Sequence, residues 1–499
     1  MGTKNFSNAN DLITFSRSSA GTALRKIAYG SELVTNGTFD TDTDWTKGTG
    51  WSISGGQATH VAGTGSNLSQ SVSYGSAGTV YALSVDVVSI SGGSGSIQAR
   101  SGGTTTAKTI SSLDSGTTVT LIYGHDGLNT DVAITTGAGT NITVDNVSVK
   151  EVLFDQGDLT LFNHPAGIPR IEYDADGNVL GLLVEESRTN LLPYSEDFEQ
   201  SLYVKDPSVS ITSTNNLSPS NENNATLITV TDSQRIYANN TSITGVVSVF
   251  IKAGTFSNFK IKTNTVDLVT KTVSAGTLEE FPNGWFRYTS EEATLARFFQ
   301  IQAYPNDSYL LHSDTGTYYI WGAQLEAGAF PTSYIPTDGA TATRSADVAS
   351  IPVADFGYNQ SEGTVVVEGT QYESSASISR FVELYGGGTG SGGSLSLGVY
   401  QDNSWIETYN GDVLNLYDVK VSGERQKMAS GFDSSGNTFC GDGNILGTPS
   451  TSSLVNPVSV SLLYVGVHWS GFQQANGHIK SIKYFPRKLT AAQLQELTT

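Results

Sequence analysis

A period of two recurs from one end of this chain to the other. Val80-Tyr81-Ala82-Leu83-Ser84-Val85-Asp86-Val87, Thr117-Thr118-Val119-Thr120-Leu121-Ile122-Tyr123 and Val246-Val247-Ser248-Val249-Phe250-Ile251-Lys252 show it in the first two thirds. GTVVVEGTQY, SLSLGVY, VSVSLLYVGVHW and GHIKSIKYF repeat it in the last third. Successive side chains on a strand point to opposite faces, so such runs are half-buried β-strands. Gly-rich breaks such as SGGSGS (91–96) and TTGAGT (135–140) supply the turns. With 54 glycines and only 15% charged residues, the expectation is an all-β chain of tandem β-sandwich (jelly-roll) domains with short connecting segments. The exception is LTAAQLQELT at the end. It reads as a short helix with Thr490 as N-cap and Leu489, Leu494 and Leu497 on one side.

At 499 residues the chain has room for three or four domains of ~150 residues each. Composition and turn signals divide it as follows. Residues 1–30 are an entry segment, a possible anchor. Residues 31–152 form a first sandwich and 153–191 a β-hairpin joint. Residues 192–336 form a second jelly-roll sandwich, 337–347 a linker and 348–499 a third sandwich. Within the hairpin, Asp174-Ala175-Asp176-Gly177-Asn178 is read as a turn; it lacks the twelfth-position Glu and flanking helices of a calcium loop.

Net charge is −20, with no dense run of Lys and Arg, which argues against nucleic acid as a partner. The single cysteine, Cys440, excludes an internal disulfide and a Cys-based zinc site, and is read as a small buried or turn residue. No run approaches the ~18 apolar residues of a membrane span. MGTKNFSNANDL has no apolar core, so no secretory signal is expected, and Phe6 stands where myristoylation needs Ser or Thr.

The densest stretch is GLLVEESRTNLLPY (181–194), two apolar runs around a charged knot of Glu185, Glu186 and Arg188. Neighbouring carboxylates on a strand face opposite ways, so Glu185 and Glu186 cannot share one substrate. The knot is expected to be a structural joint, with Arg188 in a partly buried ion pair that fixes the angle between sandwiches.

Several fragments resemble known families. ELVTNGTFD with a following Trp, closing on VDNVSVKEV, is similar to carbohydrate-binding-module-like sandwiches. That resemblance implies a possible calcium between Asp40 and Asp145; otherwise Asp145 accepts backbone N–H groups at a turn. GHIKSIKYFPRKLTAAQLQELT resembles the ending of concanavalin A-like (laminin-G-like) lectin sandwiches. ITFSRSSAGT, IPRIEYDADGNVLGLLVEESRTNLLPYSEDF and YYIWGAQLEAGAFPTSYIPTDGATATRSADVASI together resemble bacteriophage tail-fibre or head-fibre proteins. In those proteins FSRSSAGT is followed quickly by PRIEYD, so residues 31–152 are read as an inserted domain. The resemblance implies a non-enzymatic virion protein, assembled in the host cytoplasm and exposed outside the particle. It would be a homo-oligomer, a trimer being possible, beside other virion proteins, displaying sandwiches for host-surface glycan recognition or adhesion. The alternative is a capsid-decoration or head-fibre role with no receptor; a polysaccharide depolymerase is the less favoured third reading.

Sugars stack on aromatic faces while polar side chains read their hydroxyls. Candidates are Trp45, Trp51 and Tyr123 with Asp126 and Asn129 in the first sandwich. The second offers Tyr203, Tyr237, Trp285 and Tyr304; the third offers Trp405, Tyr409, Trp469 and Phe472. Each can instead fill a sandwich core, above all Trp285 and Trp321, which are flanked by aromatics. No catalytic residues are assigned: the six histidines are scattered, and no GxSxG, HExxH, P-loop or solenoid repeat is present.

Overall fold

The computed structural model describes residues 13–101, 105–232, 234–306, 308–309, 312–372, 378–386, 394–400, 403–408, 412–419, 423–450 and 460–499. The described chain is antiparallel β-structure with one α-helix, Ala491–Thr498. It divides into two compact units. One holds residues 26–158 and 163–168; the other holds 1–25, 159–162 and 169–499.

In the smaller unit, Val80–Ser91 lies between Thr117–Gly124 and Asn141–Phe154. A second sheet runs Thr46–Lys47, Asn67–Ser71, Asn129–Thr136, Gly95–Ser101 and Thr105–Ile110. The alternation seen in the sequence becomes burial: Leu83, Val85 and Val87 enter the core while Ser84 and Asp86 do not. Leu68, Ile97, Val132, Val144 and Val149 complete that core.

The larger unit contains two sandwiches. In one, an eleven-stranded sheet is organised on the long strands Arg235–Ala253 and Thr315–Ala327, over a core of Phe198, Ile228, Val249, Phe259, Tyr318 and Ile320. The other stacks two seven-stranded sheets over Val365, Val367, Phe381, Leu384, Leu397, Phe432 and Phe439. This second sandwich is not built from residues 348–499 alone. Thr14–Ser16 pairs with Val348–Pro352 at one edge. Ile171–Tyr173 and Val179–Val184 extend the opposite sheet, with Leu182 against Ile479. The entry segment and the 153–191 hairpin are therefore sheet strands rather than free-standing pieces. The physical reason is that an isolated hairpin is marginal in water, whereas added to a sheet it buries Leu182 and Val184.

The terminal helix is capped as its sequence implies. The Thr490 hydroxyl accepts from the Gln493 N–H and the Gln493 side chain accepts from the Thr490 N–H. Leu489 and Leu494 pack on Val366, Ala429 and Cys440, and Cys440 is fully buried.

Candidate functional site

Most of the aromatic candidates are interior. Trp45, Trp51 and Tyr123 belong to the core of the smaller unit, and Tyr203, Trp285 and Tyr304 are buried in the larger one. A ring packed on both faces has none left for a sugar. Asp126 spends one oxygen on the Leu128 N–H, and Asn129 lies on the Asn129–Thr136 strand. Tyr237 is half-buried on the Arg235–Ala253 strand, opposite Val204. Trp405 lies on the Asn403–Thr408 strand, its side chain outside the described residues, as is the whole of Tyr409.

Trp469 is different. The residue is 42% exposed, and its ring stacks on Tyr385 at 5.2 Å with an 18° tilt. The loop that carries it is held tightly from below. Gly466 N–H donates to the Phe381 carbonyl, Ala475 N–H to the Gly466 carbonyl and Gly471 N–H to the His468 carbonyl. Gly466 and Gly471 both have positive φ. A Cβ on Gly466 would stand 2.7 Å from Val184 Cγ2, so the loop passes over the core at glycine distance. Glu383, 1% exposed, accepts the Trp469 N–H at 2.9 Å. Arg380, also buried, donates to Gln473 Oε1 at 2.9 Å. His468 beside them is pushed down to about 4 by burial and by Arg380, so it is a neutral ring near neutrality. Phe472, on the same loop, is 71% exposed. The result is a fixed aromatic platform with its polar groups locked underneath, a geometry suited to stacking on a pyranose ring.

The charged knot at 185–188 is deeper than its sequence implies. Glu185 is 5% exposed and meets Arg170 Nη1 at 2.8 Å and Arg344 Nη2 at 3.5 Å. Arg170 also grips Asp347, which holds Arg17 at 3.1 Å. Three guanidiniums and two carboxylates are thus sealed together. Ser333 donates to both Glu185 oxygens at 2.7 Å, and the Glu185 N–H donates to Asp347 at 2.9 Å. Burial alone would raise the Glu185 pKa, but Arg344 and Arg170 outweigh it and hold the carboxyl well below its usual range. Glu185 and Glu186 lie in the irregular link between the strands Val179–Val184 and Arg188–Asn190, not on a strand as expected, and Glu186 has different partners. It pairs with Arg188 at 2.7 Å and accepts from Asn476 Nδ2 at 3.0 Å. Arg188 lies over the Phe330 ring at 4.4 Å and donates to the Ala327 carbonyl.

Sequence reasoning named Glu185, Glu186 and Arg188 but missed Arg17, Arg170, Arg344 and Asp347. The signal was present: these four lie in FSRSSAGT, PRIEYD and TRSAD, fragments of the stretches that carried the fibre-protein resemblance. It also missed Asn190, fully buried. Asn190 Oδ1 accepts from Leu192 and Leu325 N–H, and its Nδ2 donates to the Ala323 and Ile335 carbonyls.

Asp40 and Asp145 use oxygens locally, on the Thr38 hydroxyl and the Asn146 N–H, both at 2.7 Å. Among the described residues no group of three His, Cys, Asp or Glu side chains is placed to hold a metal ion.

No family model matches the sequence, and no curated protein matches it. Among solved structures, the chain is similar to the CBM40 of Ruminococcus gnavus IT-sialidase bound to α2,3 sialyllactose (14% identity, 29% of this chain and 86% of that one, TM-score 0.26). It is also similar to the CBM22 tandem of Paenibacillus barcinonensis Xyn10C (12% identity, 60% and 99%, TM-score 0.20). A third is Trypanosoma rangeli sialidase (11% identity, 89% and 82%, TM-score 0.25). Superpositions this loose carry no residue correspondence and no argument about a ligand. They do correct one expectation: the chain was read as non-enzymatic, and an enzyme structure aligns along 89% of it, so that reading does not stand.

Proposed function

We propose that this chain is a structural protein of a bacteriophage virion, a fibre- or spike-like appendage whose β-sandwiches recognise host-surface glycans. The observation that carries the glycan half is the Trp469–Tyr385 platform, an exposed aromatic face on a loop anchored by buried Glu383. Two stacked rings present a rigid apolar surface at little entropic cost. The virion half rests on the sequence resemblance, whose charged residues meet in the buried network around Arg170. A fibre exposed outside the particle gains from a joint that salt and solvent do not reach. In this reading the chain assembles in the host cytoplasm as a homo-oligomer beside other virion proteins.

The test is binding of the whole chain to a glycan array and to host cells. Retention that is lost in Trp469→Ala, with unchanged melting, is the expected result. Silence on every glycan and on cells favours a capsid-decoration role and overturns glycan recognition.

A further inference from the structure

In the smaller unit, the strand Thr117–Gly124 lies at the edge of its sheet and pairs with Val80–Ser91 on one side alone. The register runs without a shift from Thr117 opposite Val87 to Gly124 opposite Val80. It continues to His125, whose N–H donates to the Thr79 carbonyl at 2.7 Å. Antiparallel ladders use alternate residues, so the odd-numbered positions spend their backbone groups on Val80–Ser91. Thr118, Thr120 and Ile122 turn theirs outward. Among the described residues no group hydrogen-bonds to them there. Thr118 is exposed, and Thr120 and Ile122 are half-buried.

An open edge invites another strand, and folds blunt such edges with charge, proline, bulges or brevity. Several other edges of this fold show those devices. Thr105–Ile110 carries an exposed Lys108. Val209–Leu217 shifts register against Asn223–Thr231 at Ile211, Ser213 and Asn216. Thr14–Ser16 and Ile171–Tyr173 are three residues long. The strand TTVTLIYG has none of them: no charge, no proline and no shift over eight residues, although the chain carries a net charge of −20. It is rich in β-branched residues, which favour a sheet. Two copies of such a strand can lie side by side with no like charges between them.

We propose that Thr117–Gly124 pairs antiparallel with the same strand of a second copy of this chain, about a two-fold axis at Thr120. Thr120 exchanges both backbone hydrogen bonds with the partner's Thr120, and Thr118 does the same with the partner's Ile122, so the outward groups of all three residues are used. In this register Gly116 meets the partner's Gly124, and no large side chain crowds either end. Val119 stands opposite the partner's Leu121 on the core side, where both residues are buried, so the two cores line up behind one continuous sheet. A strand that is self-complementary about its own middle closes as a two-fold dimer and does not grow into a filament. The proposal rests on the homo-oligomer of the reading above and names its interface; it does not depend on the glycan platform.

The experiment is analytical sedimentation of the whole chain and of its Thr120→Lys and Thr120→Glu variants, each alone and the two mixed in equal amounts. The Thr120 side chain is half-buried on the outer face and its backbone groups point away from Val80–Ser91, so neither substitution enters the core or the existing ladder. Pairing sets position 120 against itself, so each variant alone puts like charges directly opposite one another. The expected result is a dimer for the natural chain, association about tenfold weaker in either variant alone, and recovery in the mixture, where lysine faces glutamate. An oligomer unchanged in both variants overturns this interface and keeps a homo-oligomer built elsewhere. Weakening in both variants with no recovery in the mixture overturns the pairing of position 120 with itself. A monomeric natural chain overturns the interface and the homo-oligomer together, and leaves glycan recognition to the array.

Discussion

Arg170 and Glu185 form an ion pair sealed from solvent, with Nη1 2.8 Å from Oε2 and the arginine fully buried. Arg170 reaches Asp347 with its other terminal nitrogen, and Asp347 in turn holds Arg17, 330 positions away in the chain. The pair belongs to a network that ties residues near the start of the chain to residues 330 positions on. Removing either member breaks a buried, hydrogen-bonded ion pair and leaves its partner with fewer opposite charges. Arg170→Ala and Glu185→Ala are each expected to lose about 3–5 kcal/mol in chemical denaturation, and the double variant less than their sum. Additive losses would show that the two do not act as a pair. Because the network holds Glu185 below its usual range, its contribution is present above the ordinary carboxylate pKa and fades as pH falls through the folded value. Glu185→Gln should therefore flatten the acid limb of the stability profile.

Arg188 makes a second, separable contact. Gly328 has a φ of +120°, and a Cβ there would run into the Arg188 guanidinium. Gly328→Ala is expected to displace Arg188 from Phe330 and the Ala327 carbonyl, costing about 1–3 kcal/mol. Arg188→Ala should cost a similar amount. If melting is unchanged in both, the joint at 185–188 does not involve Arg188.

The tryptophans divide by burial. Trp285→Ala empties a fully buried site and should cost about 3–5 kcal/mol, read as a lower denaturation midpoint. Trp469→Ala removes a half-exposed ring and should move the midpoint little while abolishing glycan retention. A large stability loss in Trp469→Ala would make that ring a packing element instead of a binding face.

Glu279 predicts a stability change with the opposite sign to Glu185. Its folded pKa, about 7, is above the unfolded value, so the native state holds the extra proton between the two. That contribution is fully present below the ordinary carboxylate pKa and is lost as pH rises towards 7. Melting of the natural chain should fall over that window relative to Glu279→Gln. Parallel profiles for the two proteins would place the Glu279 pKa near its ordinary value.

Much of the fold is legible in the residues because strand burial is a local property. Leu83, Val85 and Val87 alternate with Ser84 and Asp86 in sequence, and the same residues alternate between core and outer face. The Thr490–Gln493 cap is equally local. The site was legible only in part. Trp469 stands in a Gly-flanked polar loop and is exposed, but Trp45 and Trp51 have similarly polar neighbours and are buried. Composition around a ring does not say which sheet closes over it.

What the sequence determined by itself is the set of strands, their faces and the helix, because each depends on neighbours two to four positions away. What only the tertiary structure decided is partnership. It set Thr14–Ser16 beside Val348–Pro352, Val179–Val184 beside Gly477–Phe485, and three arginines around Glu185 and Asp347. It also set Glu172 2.7 Å from His478, 306 positions away. A carboxylate's chemistry is set by the charges and the solvent around it, and in this chain those come from residues hundreds of positions apart.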